Sequence, residues 1–69
     1  MYYIIELQTN GAQGANIVKT KESRNDAMSV YHTVLASAAI SSVEHHACIV
    51  VDERGTRIAQ ECYDHPQAS

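Results

Sequence analysis

The spacing of apolar positions changes along this chain, and each change marks an element. From Tyr2 to Thr9 they alternate, with Tyr3, Ile5 and Leu7 on one side and Tyr2, Ile4 and Glu6 on the other, which together with the β-branched and aromatic content predicts a strand. Asn10 to Gly14 interrupts it with an Asn-Gly pair and a second glycine, the residues of a turn. Asn16 to Lys21 returns as a second strand, with Ile17 or Val18 inward according to register, and Lys19 and Lys21 suit a sheet edge. Between Arg24 and Ser42 the spacing lengthens to i, i+3, i+4, i+7. Ala27, Val30, Tyr31, Val34, Leu35 and Ala38 then form one face of an amphipathic helix, and Arg24, Asn25, Ser29, Thr33 and Ser37 fall off it. Ser23 is placed to cap that helix through the amide of Asp26, which itself favours the first turn.

Val43 to Val51 reads as a third strand, and the consecutive Ile49, Val50 and Val51 send apolar side chains to both of its faces. Asp52-Glu53-Arg54-Gly55 has the chemistry of a type I turn closed by a glycine bulge, and Thr56 to Tyr63 is the returning strand. With the bulge, Val50 faces Ile58, Cys48 faces Gln60 and His46 faces Cys62, so both cysteines share a face. A tight two-residue loop instead sets His46 opposite Glu61 and Val50 opposite Arg57, and separates the cysteines. Turn chemistry favours the first.

The predicted fold is α+β: strand order ββαββ, a four-stranded antiparallel sheet with one helix packed on one face. It forms a single domain over residues 1–64, followed by a loose tail over 65–69 that carries Pro66, the sole proline. One helix covers one face of a sheet. Tyr2, Ile4, Ala59 and Tyr63 are expected on the other, where they would pack on a second subunit in a twofold dimer. Length points the same way, because a chain of 69 residues buries only about 60% of the surface its unfolded form exposes. The residues on offer for the core are small, mostly Ala, Val and Ile with four Tyr and neither Phe nor Trp.

Charge narrows the partners. Five Lys and Arg against eight Asp and Glu give a net charge of −3, which argues against holding nucleic acid through its phosphates. The basic residues cluster only at Lys19, Lys21 and Arg24. There the start of the helix offers free amides, and Lys21, Arg24 and Asn25, joined by Tyr31 in a pocket between subunits, are the candidate site for a small anionic ligand. No apolar run approaches the roughly 20 residues of a membrane span and no leader precedes the first strand, so the chain is expected to be complete and cytoplasmic, with Cys48 and Cys62 as free thiols.

No cofactor or metal is expected. His45 and His46 are adjacent and point to opposite faces of a strand. His46 with Cys48 and Cys62 could hold zinc in the bulged register, but the chain has neither a Cys-x-x-Cys nor a second spaced pair. A cysteine nucleophile would need an electropositive setting, whereas Glu44 and Glu61 lie beside these thiols. His32 is expected at the solvent edge of the helix. Gly11 and Gly14 punctuate a hairpin, since a strand and not a helix follows them.

Three blocks carry a resemblance: Tyr3-Ile4-Ile5-Glu6-Leu7-Gln8-Thr9; Arg24-Asn25-Asp26-Ala27 running into Ser29-Val30-Tyr31-His32 and Val34-Leu35-Ala36-Ser37-Ala38-Ala39; and Ser41-Ser42-Val43. In these the chain resembles a group of short uncharacterised proteins of anaerobic gut bacteria and of their phages and mobile elements, a pattern to which Cys48 and Cys62 do not belong. The resemblance brings no activity. It implies a small accessory protein of mobile-element type, in a setting where inhibitors of host defence are common. The expected function is therefore a non-enzymatic interaction protein, an inhibitor of a host protein among the possibilities. The alternative is an oligomeric sponge that binds a small molecule or nucleotide between subunits.

Overall fold

The computed structural model describes residues 1–65. Strands β1 (Tyr2–Asn10) and β2 (Gln13–Lys21), helix α1 (Arg24–Ala39), and strands β3 (His45–Asp52) and β4 (Arg57–Asp64) follow one another. The strands form one antiparallel sheet in the order β2-β1-β3-β4, with α1 across one face, the ββαββ arrangement predicted from the sequence.

Local chemistry sets each boundary. Asn10 pairs with Gln13, leaving Gly11 and Ala12 as a two-residue loop, and Gly11 supplies the positive φ of 65° that such a turn requires. The first hairpin is thus tighter than expected, and β2 begins at Gln13 rather than Asn16. Ser23 caps α1, its Oγ accepting the Asp26 amide at 3.4 Å. The helix ends at Ala39, three residues short of the predicted Ser42. The Ile40 amide donates to the Ser37 carbonyl, the Ser41 amide to that of Ala38, and Ser41 Oγ accepts the Val43 amide, so two backbone bonds and the Ser41 hydroxyl turn the chain toward β3. The His65 imidazole donates a further bond to the Ala38 carbonyl at 2.8 Å, and the His65 amide donates to the Glu44 carbonyl. Of the tail expected over 65–69, His65 is therefore held in place, and 66–69 lie outside the described residues.

The second hairpin holds the main correction. At the turn the chain follows the glycine-bulge register: the Gly55 amide donates to the Asp52 carbonyl, Gly55 has φ 85°, and Val51 pairs with Arg57. One step further in, β4 carries an extra residue at Ile58, and every later pair shifts by one. Val50 meets Ala59 rather than Ile58, Cys48 meets Glu61 rather than Gln60, and His46 meets Tyr63 rather than Cys62. The bulge lets the consecutive Ile58 and Ala59 both pack against the core. It also separates the cysteines: Cys48 lies under the helix, and Cys62 is exposed on the far face.

The core between helix and sheet is small. Its buried apolar members are Ile4, Ala27, Tyr31, Val34, Ala38, Cys48 and Val50, with Tyr2, Met28, Val30, Leu35, Ile58 and Ala59 packed partly against it. The helix contributes the stripe its spacing predicted. Each fully buried Ile or Val stabilises the fold by about 1.5–3 kcal/mol, and few are available.

Candidate functional site

Cross-strand partners share a face of the sheet, so the registers assign each strand residue to one side. Toward the helix point Tyr2, Ile4, Glu6 and Gln8 of β1 and His46, Cys48 and Val50 of β3; away from it point Tyr3, Ile5 and Leu7 of β1, Val18 of β2 and Ala47, Ile49 and Val51 of β3. The side of β1 turned outward is the more apolar one. The expected interface set is therefore corrected: Tyr2, Ile4, Ala59 and Tyr63 lie on the helix-covered face, with Ile4 in the centre of the core. The open face is still apolar, but other residues make it so.

Those residues form a continuous patch. Val18, Ile5 and Ile49 stand in one row, Tyr3 and Val51 in the next on one side, Leu7 and Ala47 in the next on the other. In the single chain Tyr3 is 36%, Leu7 45% and Val18 53% exposed. Asn16, Thr20 and Gln60 continue these rows as neutral polar neighbours. Outward charges on the strands, among the described residues, are Arg57 and Asp64 of the edge strand β4, with His45 beside Asp64. An apolar centre free of charge inside a polar rim is the composition of a protein interface.

The covered face holds the polar groups instead. His46, 5% exposed, sets its Nε2 2.5 Å from Glu6 Oε2, and Gln8 Nε2 donates to the same oxygen at 2.9 Å. His46 Nδ1 is buried without a hydrogen-bond partner among the described residues. Glu6 and His46 sit on diagonal positions of β1 and β3, so their contact exists only in this register and pins the two strands together. Burial first, then Glu6, pushes the Cys48 thiol up to about 11. Burial, followed by the field of Glu61, likewise raises Tyr31.

The expected anion site does not assemble in the single chain. Lys21 ends β2, and Arg24 and Asn25 open the helix, all exposed. Tyr31 lies two turns further on, buried in the core with Cys48. The capping hydroxyl of Ser23 already occupies the Asp26 amide. Two concavities stand out: an open groove of about 520 Å³ lined by β4 alone, and a depression of about 220 Å³ between the first hairpin and Val43, the second below the roughly 300–1,000 Å³ of small-molecule pockets.

Neither thiol is set up as a nucleophile. Cys62 Sγ donates to Asp64 Oδ1 at 3.5 Å, and burial with that carboxylate raises its pKa. The carboxylate also accepts from His45 Nδ1 at 2.7 Å, so Asp64 stands between thiol and imidazole, where it keeps the base from the sulfur. No cluster of three metal-ligating side chains forms among the described residues, and no helix there is long and apolar enough to cross a membrane.

Comparison with family models, with curated proteins and with solved structures gives no match to this chain.

Proposed function

We propose that this is a non-enzymatic interaction protein whose contact surface is the open face of its sheet. One observation carries the reading: the fold turns the more apolar side of β1 and the aliphatic side of β3 outward, and places Glu6, Gln8 and His46 under the helix. A chain that ended its folding as a lone monomer would gain more by the opposite choice, since burying apolar area stabilises by about 25 cal/mol per Å² while buried polar groups must each find a partner. The choice is favourable when another surface covers the outward side. The accessory role in a phage or mobile element implied by the resemblance is part of the same proposal, with a host protein as one possible counterpart.

Hydroxyl-radical footprinting tests the reading. Tyr3 and Leu7 should be protected in cell extract relative to Ile40, which the fold leaves 88% exposed. Oxidation of Tyr3 and Leu7 at the rates of free surface residues, in extract and after purification alike, would contradict it.

A further inference from the structure

We infer that the surface covering the open face is a second copy of this chain, with the two sheets packed face to face about a twofold axis running along the strands between β1 and β3. The inference rests on the interaction reading above and names the partner.

Self-complementarity is the first argument. Rotation about that axis lays β1 of one copy over β3 of the other without changing level along the strands. Tyr3 then meets the partner's Val51, Ile5 the partner's Ile49 and Leu7 the partner's Ala47, following the rows that the registers set. Large side chains fall on small or medium ones, as interdigitated sheets require. An axis across the strands instead brings Tyr3 over the partner's Leu7 and Val51 over the partner's Ala47, which crowds one strip and leaves a gap along the other.

Charge is the second. The arrangement sets Arg57 over the partner's Thr20 and Asp64 over the partner's Gly14, so no like charges oppose, and the chain's net charge of −3 stays clear of the seam. Area is the third. Four strands about 4.8 Å apart and eight residues long frame a face of roughly 19 by 27 Å, about 500 Å² in projection and more with side-chain relief, near the ~800 Å² each partner gives a stable interface.

A designed crosslink tests partner and orientation together. The axis along the strands brings position 16 of one copy over Cys62 of the other. Within one chain these positions lie on β2 and β4, three strand spacings or about 14 Å apart. Asn16→Cys treated with a bis-maleimide spanning about 8 Å should give a covalent two-chain species. Wild type, with Cys62 alone exposed, should not, nor should the double variant Asn16→Cys/Cys62→Ser. Leu7→Asp should weaken association by about 30-fold or more, the effect of a change at an interface centre, with the circular dichroism of the fold retained. A one-chain mass at 100 µM overturns the second-copy inference. A two-chain mass without the Asn16→Cys crosslink overturns the axis. If the purified protein is monomeric while Tyr3 and Leu7 are protected in extract, the interaction reading stands and the partner is a foreign protein.

Discussion

The two faces of this sheet differ in a way that neither the length nor the charge of the chain requires. On the helix side, apolar Ile4 and Val50 share the face with Glu6, Gln8, His46 and Cys48; on the open side, Tyr3, Ile5, Leu7, Ala47, Ile49 and Val51 lie together, with Arg57 at the β4 edge the one charge in their rows. The covered face is specified by hydrogen bonds that exist in one register. The open face is specified by apolarity alone. The first fixes how the chain folds, and the second is the surface we propose another molecule covers.

The largest expected effects separate the faces by their dependence on concentration. Ile4→Ala empties the core and should cost about 2–5 kcal/mol at any protein concentration. Leu7→Ala removes a similar side chain from the open face. In a dilute monomer it should cost little, and its penalty should grow with concentration as the assembly forms. Urea melts of both variants at 1 and 100 µM check this, and equal penalties for Leu7→Ala at both would break the comparison.

Next comes the covered seam. Glu6→Leu adds apolar area but leaves the buried His46 Nε2 and the Gln8 amide without their acceptor, a loss of about 1–3 kcal/mol. Glu6→Gln, which keeps an acceptor, should recover much of it. Smaller again is Ser23→Ala, which removes a long and exposed cap bond and should lower stability by about 0.5–1 kcal/mol by urea melts.

The weakest effect is a pH dependence at the corner of the open face. The bond to Asp64, with smaller help from Glu44, raises His45 above its ordinary 6.5, and the same bond lowers Asp64 below 3.8. The His45 contribution is therefore full below pH 6.5 and fades as pH rises through its folded value. The Asp64 contribution is full above the ordinary carboxylate value and fades as pH falls through the lowered one. Both groups are exposed, so the gain is small. His45→Gln should lower the melting temperature slightly at pH 5.5 and not at pH 9.

Much of the fold was legible in the sequence. Alternation gave β1, helical spacing gave the stripe from Ala27 to Ala38, and the glycines at 11 and 55 marked turns that need positive φ. What stayed hidden was the choice of face. A period of two says that Tyr3, Ile5 and Leu7 share a side, but the helix can lie on either, and counting apolar residues selects the wrong one because Glu6 finds its partner in His46 forty positions away. The bulge at Ile58 was equally silent, since it answers to packing against the core and not to turn chemistry. The open-face residues carried a signal all the same: the Tyr-Ile-Leu side of β1 is more apolar than the side that meets the helix.

Sedimentation equilibrium of the purified wild-type chain between 1 and 200 µM reads the central claim most directly. Burial of the open face by a second copy predicts a mass that climbs to two chains across that range and falls back to one in Leu7→Asp. A one-chain mass throughout would contradict it.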